Sequence, residues 1–391
     1  MIGVCRKRTL ALTTSEGNSL ILETNMKLIT VATIKMAAVF VLLNLFSCDS
    51  TTVEHIHSGE AQGTTYQIKY HGSNGVTQLQ VDSVIESMDV EMNTWRSDAR
   101  ISKINNFNRE DTVFAFYDNS KIWSVLWDIS WEIHRDSEGA FDPTVKPLVD
   151  LWGFGLKHVD SVDSMQVDSI MNFVGYRTDN IDLDEIETRE KYIETHIIKG
   201  DGRTQLDFNA IAQGYTVDML MDLLTEAGIE NAMVELGGEV RCLGVNLEGL
   251  PWRIAVDKPV IVELNGGRPL QAILEVNNAS VCTSGNYRKF KEIDGVRVSH
   301  TIDPRTGYPA YNGLLSVTIQ TESAAVADAY ATACMVLGPE EGRVFIERMR
   351  QVKSGIHIEA LFIIDKGLDS TMEEPFEFWA TDGWKEAIIW L

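Results

Sequence analysis

Two polar residues four positions apart stand in an otherwise apolar segment toward the C-terminal end of the chain. Residues 324–337 have helical spacing, and Asp328 and Thr332 share one face of that helix because positions i and i+4 are neighbours. A carboxylate and a hydroxyl are costly to bury unpaired, so we expect a cation or a hydrogen-bond network to satisfy them. The alternative is that Thr332 bonds back to the carbonyl of Asp328, with the carboxylate near the helix start.

A second candidate lies in the sequence LDFNAIAQGYTVD, residues 206–218. A short strand is predicted to end near Asp207, and a helix is predicted from Ala210 to Ala227. Such a junction presents free N–H and C=O groups to a ligand. Asp207 therefore either contacts a ligand or caps the helix, and the residues leave both interpretations open.

Two further segments combine residues that could do chemistry. The stretch HTIDPRTG, residues 300–307, places His300 for proton transfer near neutral pH and Arg305 for holding phosphate. The same stretch also fits an Asp-Pro turn in which Arg305 pairs with Asp303. Residues 139–155 mix turn residues with aromatics, which is typical of an aromatic ligand slot and equally of ordinary core packing.

Composition limits the class of protein. A chain of 391 residues with 44% apolar and 23% charged residues has the composition of a typical globular protein. The net charge of -23, from 57 acidic against 34 basic residues, repels nucleic acid phosphates, so we expect no nucleic acid partner. An acidic protein that binds an anionic ligand must screen it locally, by a metal ion or by backbone N–H groups.

The elements that must position these residues are strands and helices in mixed order. They do not alternate strictly and no repeat or long linker interrupts them, so we predict an α+β fold in one compact unit. The predicted helices cover residues 81–92, 122–135, 210–227 and 324–337, the last closed by Gly338 and Pro339, and the predicted strands cover 64–70, 206–208, 234–243, 252–256, 272–276, 280–283 and 314–321.

The N-terminus resembles a bacterial lipoprotein signal peptide. Residues 36–46 form an apolar run too short for a comfortable membrane span, and the run follows lysines and ends at Leu45-Phe46-Ser47-Cys48. We expect cleavage before Cys48 and lipidation of that cysteine. Residues 1–47 are then an upstream extension and signal peptide, with Met26 as an alternative start, and residues 48–60 form a tether. An uncleaved signal anchor or a buried helix is the alternative.

The remaining cysteines of the exported part are Cys242, Cys282 and Cys334. They are widely spaced, odd in number and form no CxxC motif. We therefore predict three small buried hydrophobic side chains rather than disulfides or zinc ligands.

Eight motifs follow one another along residues 63–338. They are GTTYQIKY (63–70), NTWRSDARISKIN (93–105), GAFDPTVKPLVDLWGFG (139–155), LDFNAIAQGYTVD (206–218), ELGGEVRCLG (235–244), SVCTSGNYRKF (280–290), HTIDPRTGYP (300–309) and ADAYATACMVLG (327–338). In type and order, these motifs resemble those of the ApbE family, the FAD:protein FMN transferases.

The resemblance implies a T-fold-like α+β transferase domain over residues 61–391 that uses FAD and Mg²⁺. It would transfer the FMN half of FAD to a Thr or Ser hydroxyl of an acceptor protein through a phosphoester bond, with AMP leaving. The implied metal ligands are the Ala210 carbonyl, the Asp328 carboxylate and the Thr332 hydroxyl, an all-oxygen set suited to Mg²⁺. The implied FAD contacts are Gln62, Trp95, Ala140, Phe141, Asp142, Asp207, Gln213 and Ile302.

The resemblance also suggests a catalytic base, an acceptor and a location. His300 is the candidate base for the acceptor hydroxyl, and Asp303 or water is the alternative. The expected acceptor is a flavoprotein subunit of a membrane electron-transfer complex, and the expected location is the periplasmic side of a bacterial inner membrane. An FAD pyrophosphatase that gives FMN and AMP, and a non-catalytic FAD-binding lipoprotein, are the alternative functions.

Overall fold

The computed structural model describes residues 53–108, 112–155, 159–177, 179–189, 192–259, 269–286, 290–293, 296–353, 355–367 and 376–391. Residues 53–391 form one compact unit. The predicted signal peptide and Cys48 lie outside the described residues.

One antiparallel sheet forms the centre of the fold. Its eight strands follow the order β1-β2-β6-β7-β10-β13-β14-β15, and every neighbouring pair is antiparallel. The other described strands form two three-stranded sheets, β3-β5-β4 and β16-β9-β8, and the hairpin β11-β12. The strands are β1 Val53–Ala61, β2 Thr64–Gly72, β3 Thr112–Tyr117, β4 Ile181–Glu187, β5 Ile193–Lys199, β6 Ala232–Leu236, β7 Glu239–Leu243, β8 Trp252–Asp257, β9 Leu270–Val276, β10 Ala279–Gly285, β11 Phe290–Ile293, β12 Val296–Ser299, β13 Leu314–Thr321, β14 Glu359–Asp365, β15 Phe376–Ala380 and β16 Ile389–Trp390.

The helices vary in length from a single turn to 29 residues. No helix in the described ranges is both long enough and apolar enough to cross a membrane. They are α1 Gln78–Met92, α2 Arg100–Asn106, α3 Ile122–Asp136, the 3₁₀ turn Pro143–Val145, α4 Lys146–Leu151, α5 Ser164–Met171, α6 Ala212–Glu226, α7 Ala324–Val352 and α8 Asp382–Lys385.

Each face of the central sheet is covered by a different layer. Side chains of a strand alternate between faces, so Cys282 of β10 packs in the core shared with α1, α6 and α7, while Val281 packs toward β8 and β9. Helices therefore cover one face and the small β16-β9-β8 sheet covers the other. The predicted α+β class is confirmed, and so is the burial of the three unpaired cysteines.

The start of the domain differs from the sequence prediction. The residues from Val53 onward, expected to belong to a tether ending at residue 60, form β1, an edge strand that pairs with β2 along its whole length. The turn between them is Gln62-Gly63, and both residues have positive φ, 51° and 75°. A two-residue turn of this kind matches the twist of the strands and closes the hairpin.

Two predicted strands differ in the structure, while the predicted end of one helix is found there. Residues 206–208 form no strand, because the backbone of Leu206 is bonded by the Asn105 side chain. Residues 234–243 fall into two strands, since Gly237 and Gly238 turn the chain at φ 67° and 109°. Gly338 has the non-helical angles φ 80° and ψ -178°, so the segment Ala324–Val352 consists of two helices that meet at this residue, and the predicted end of the first helix after residue 337 is confirmed.

Helices α6 and α7 approach each other at Gly214 without an intervening side chain. A Cβ atom on Gly214 would lie 2.3 Å from the Ala324 carbonyl oxygen and 2.9 Å from Cα of Ala325. These neighbours are backbone atoms, which cannot rotate away. The lack of a side chain at Gly214 therefore sets how closely the first turns of the two helices pack.

We predict that Gly214→Ala lowers the free energy of unfolding by about 1–3 kcal/mol, because the added methyl group must push two backbones apart. Urea unfolding followed by circular dichroism measures the change. Gly75→Ala is the control, since the three atoms nearest to its Cβ would all belong to side chains, the closest being the Tyr70 hydroxyl at 3.3 Å. Equal stability of Gly214→Ala and the parent chain would contradict the packing argument.

Candidate active site

The face of α7 that carries the predicted ligands points toward the start of α6. Ala324, Asp328 and Thr332 are spaced by four residues and share that face. Ala324 contacts Gly214, and the backbone N–H of Gly214 donates to Oδ2 of Asp328 at 3.2 Å. The site is therefore built where these two helices cross.

The Asp328 carboxylate is buried and accepts few hydrogen bonds. Its residue is 6% exposed, and the Gly214 N–H is its one hydrogen-bond donor among the described residues. Burial raises the pKa of Asp328 to about 7, opposed by the Gly214 hydrogen bond. A buried carboxylate with so few donors favours either a proton or a cation.

A second buried carboxyl lies close by on β7. Burial, followed by the charge of Asp328, raises the pKa of Glu239 well above its usual value. The Thr283 N–H donates to Oε2 of Glu239 at 3.2 Å. No lysine or arginine in the described ranges forms an ion pair with either carboxyl. Negative potential therefore accumulates at this point inside an already acidic protein.

The Thr332 hydroxyl lies 3.3 Å from the Oγ atom of Ser284, at the end of β10. The alternative from sequence, a bond from Thr332 back to the Asp328 carbonyl, does not occur, although Thr216 in α6 makes such a bond to Ala212. Thr332 is thus turned toward the sheet, where its oxygen and that of Ser284 are close together.

Ala210 lies in the turn directly before α6. In a regular helix the N–H of Gly214 would donate to the carbonyl of Ala210, but here it donates to Asp328. No described N–H group bonds to the Ala210 carbonyl. The Asp328 carboxylate therefore lies beside the turn that carries this free oxygen, as the implied ligand set requires.

Gln62 and Gln213 also meet at the start of α6. The Nε2 atom of Gln62 donates to the Thr216 hydroxyl at 2.8 Å, and Nε2 of Gln213 donates to the Gln62 carbonyl at 3.5 Å. The Oε1 atom of Gln62 is buried and has no hydrogen-bond partner among the described residues. An acceptor in that state suits a donor group on a ligand.

The predicted contacts at residues 140–142 are buried. Oδ1 of Asp142 accepts from the N–H and the hydroxyl of Thr144 at 2.7 and 2.6 Å, and Oδ2 accepts from the Tyr176 N–H at 2.9 Å. Burial raises the pKa of Asp142, opposed first by the charge of His134. These bonds hold the turn in shape, and the side chains of Ala140 and Phe141 are buried beside it.

Asp207 is joined to this turn through its backbone. Its N–H donates to the Pro143 carbonyl at 2.7 Å, and its Oδ1 atom accepts from the Asn209 N–H at 2.9 Å. Burial raises the pKa of Asp207, opposed by that N–H and by the charge of Lys146. The bond to Asn209 belongs to the turn before α6, so the carboxylate does not cap the helix itself.

In the HTIDPRTG segment, the structure contains the predicted turn and ion pair. Both carboxylate oxygens of Asp303 accept from the Arg305 guanidinium at 2.9 Å. Ile302 is buried and bridges to Pro309 across the turn. His300 is half-buried, with its ring centroid 6.3 Å from that of Phe154. Asp303 is therefore engaged as an ion-pair partner, while His300 lies beside an aromatic ring.

Trp95 is the most accessible of the predicted contacts. It lies between α1 and α2, is 60% exposed and stacks on no other aromatic ring in the described residues. Its indole face is therefore open to a planar ligand.

Three residues of the site were missed from sequence, although each lies in a quoted motif. Gly214 and Asp218 belong to LDFNAIAQGYTVD, and Glu239 belongs to ELGGEVRCLG. Nothing in the neighbouring sequence shows that the glycine contacts another helix or that the two acidic side chains are buried. Their roles depend on contacts with α7 and β10.

The fold and these loops define an α+β domain in which side-chain oxygen atoms of Asp328 and Thr332 lie on one face of α7 where it crosses α6. The model of the ApbE family matches residues 62–356, and the chain belongs to this family. The predicted family is thereby confirmed.

Individual relatives agree with this assignment. Over 327 residues the chain is 36% identical to an FAD:protein FMN transferase of Vibrio cholerae, covering 80% of this chain and 90% of the relative. It is 32% identical over 348 residues to one of Haemophilus influenzae, covering 87% and 95%. The flavin transferase structure from Vibrio cholerae superposes with a TM-score of 0.69 at 32% identity, covering 85% and 99%. The apo flavinyl transferase of Pseudomonas stutzeri gives 0.70 at 30%, covering 86% and 97%.

We predict that Asp328 makes the stability of the protein in EDTA depend on pH. Its folded pKa of about 7 lies above its ordinary value of 3.8, so the folded state binds more protons than the unfolded state between these values. The contribution of Asp328 to the free energy of unfolding therefore falls as pH rises from about 4 to 7, by up to about 1.4 kcal/mol per pH unit.

Urea unfolding at several pH values, in the parent chain and in Asp328→Asn, measures this contribution. The variant should gain stability relative to the parent as pH approaches 7. A pH slope unchanged in Asp328→Asn would refute the assignment.

Proposed function

We propose that this chain is an FAD:protein FMN transferase, which moves the FMN part of FAD to a Thr or Ser hydroxyl of an acceptor protein. The observation that supports this most is the buried Asp328 carboxylate, which accepts from one donor among the described residues, beside the Ala210 turn and on the same helix face as Thr332. The names of the relatives support the reaction class.

The donor set supports Mg²⁺ as the cation of the site. The described residues contain no group of three or more His, Cys, Asp or Glu side chains that could hold a metal. A site here would use the Asp328 carboxylate, the Ala210 carbonyl and the Thr332 hydroxyl, which are hard oxygen ligands of the kind Mg²⁺ prefers, with substrate phosphate and water as the rest. When bound, Mg²⁺ would neutralise pyrophosphate charge.

The transfer breaks the phosphoanhydride bond of FAD and forms a phosphoester bond to the acceptor. The acceptor oxygen forms a bond to the FMN-side phosphorus while the bond from that phosphorus to the AMP oxygen breaks, and AMP leaves. The acceptor proton passes to a base. We propose His300 for this role, because Arg305 already engages both oxygens of Asp303.

FAD is proposed to contact the residues around this point. Trp95 offers an exposed indole for stacking, and the Oε1 atom of Gln62, which has no partner among the described residues, offers a hydrogen-bond acceptor beside Gln213. The Asp207 N–H donates to the carbonyl of Pro143, which directly follows residues 140–142, so Asp207 is held beside that segment. Ile302 is buried in the turn that follows His300.

We also propose that the chain is exported and anchored to the periplasmic side of a bacterial inner membrane. The support is the sequence, in which Leu45-Phe46-Ser47-Cys48 ends an apolar run. Residues 1–47 would be removed, and a flavoprotein subunit of a membrane electron-transfer complex would be the acceptor.

The proposed lipid anchor predicts that Cys48→Ser changes both membrane association and fatty-acid labelling. With the cysteine present, the chain should fractionate with membranes and incorporate labelled fatty acid. Cys48→Ser should lose the label, whereas Cys242→Ser, at a buried cysteine, should keep it. Equal labelling of Cys48→Ser and the parent chain would refute lipidation at this position.

The transfer reaction predicts an adduct and a released nucleotide in equal amounts. With FAD, Mg²⁺ and an acceptor domain, the acceptor mass should rise by one FMN unit as AMP appears. Asp328→Ala should lower the turnover at least about 100-fold, because it removes the one carboxylate of the proposed metal set. Mass spectrometry of the acceptor and chromatography of the nucleotides measure both products.

Two controls separate the alternatives. EDTA should stop the reaction, and Asp118→Ala should retain it, because that buried carboxylate bonds to the start of α3 instead. AMP without an acceptor adduct would favour an FAD pyrophosphatase. Tight FAD binding without AMP would favour a non-catalytic flavin carrier, and activity of Asp328→Ala near that of the parent would refute the metal assignment.

A further inference from the structure

Asp218 of α6 is a buried carboxylate with four donors. Its Oδ1 atom accepts from the Ala324 N–H at 3.0 Å and from Arg241 at 2.7 Å. Its Oδ2 atom accepts from the Ala325 N–H at 3.0 Å and from the Ser323 hydroxyl at 2.7 Å. Three of these donors belong to the first turn and N-cap of α7.

This carboxylate caps α7 from another helix. The first N–H groups of a helix have no partner within it, and a negative charge there is favourable. The N-cap residue Ser323 bonds to the Val326 N–H, which leaves the Ala324 and Ala325 N–H groups for Asp218. The start of α7 is therefore attached to α6 at a defined position along it.

The two helices exchange hydrogen bonds in both directions. Gly214 and Asp218 are four residues apart on α6, and Ala324 and Asp328 are four residues apart on α7. Asp218 accepts N–H bonds from the start of α7, while the Gly214 N–H donates to Asp328. The cap thus fixes both the rotation of α7 and its position along its own axis. It does so at Ala324, one helical turn before Asp328.

We propose that Asp218 is a positioning residue for the cation site: through its cap on α7 it holds Asp328 and Thr332 in the arrangement that binds Mg²⁺. The inference rests on the Mg²⁺ site of the proposed function. Asp218 acts on that site through α7, because both of its oxygens are taken by Arg241, Ser323 and the α7 backbone.

A cap that stabilises only the fold is the alternative, and the chain offers a matched control. Asp118 is also a buried carboxylate before a helix. It accepts from the Trp123 and Ser124 N–H groups at 2.9 and 3.4 Å, and from the Ser120 hydroxyl at 3.0 Å. Its helix, α3, carries none of the proposed metal ligands.

The experiment compares Asp218→Asn and Asp118→Asn in the full chain. Isothermal titration calorimetry with Mg²⁺ alone measures cation affinity without turnover, and thermal unfolding in EDTA measures the stability lost. Asp218→Asn should weaken Mg²⁺ binding about 10- to 100-fold, as loss of a residue that orients metal ligands does. Asp118→Asn should lower the melting temperature and leave the affinity within about twofold of the parent.

A second variant covers the case in which Asp218→Asn does not fold. Ser323→Ala removes one donor of the cap and should weaken Mg²⁺ binding in the same direction by a smaller factor. In the transfer assay, both variants should raise the Mg²⁺ concentration needed for half-maximal rate while the KM for FAD stays within about twofold.

Parent-like Mg²⁺ affinity in Asp218→Asn, or an equal loss in Asp118→Asn, would overturn the positioning role and leave only a structural cap. A parent chain that binds no Mg²⁺ would also overturn it. Failure of the transferase proposal would give a different result: the parent chain would bind Mg²⁺, but the acceptor would gain no FMN.

Discussion

The crossing of α6 and α7 at Gly214 is the constraint on which the rest of the site depends. Because this residue has no side chain, the two backbones come into contact. Each helix then donates N–H groups to a carboxylate of the other, Asp218 on α6 and Asp328 on α7. Buried N–H groups must be bonded, so neither helix can slide or rotate without breaking several hydrogen bonds.

The central sheet supplies the other walls of the site. The turn between β1 and β2 brings Gln62 to the start of α6, and the end of β10 brings Ser284 to Thr332. Antiparallel pairing with fixed register places these ends, since a slip of one residue would turn every side chain to the opposite face. The layers on the two faces of the sheet hold that register through their buried side chains.

The site reduces the stability of the fold at one point. Asp328 and Glu239 are buried near each other, and burial raises the pKa of both. By contrast, the carboxylates of Asp218, Asp142 and Asp303 each accept several hydrogen bonds. A carboxylate left short of donors, beside others that are fully bonded, is typical of a group reserved for a ligand.

The sequence by itself determined the family, the α+β class, the helices that form the site and the shared face of Asp328 and Thr332. These follow from local periodicity and from motif residues. The sequence did not predict β1, β3–β5, β11, β12 or β14–β16. Tertiary structure decided which polar groups are free: Thr332 faces Ser284, Arg305 engages Asp303, and Asp218 caps α7. The physical reason is that these bonds depend on how segments far apart in the chain pack, as the separation of 114 positions between Gly214 and Asp328 shows.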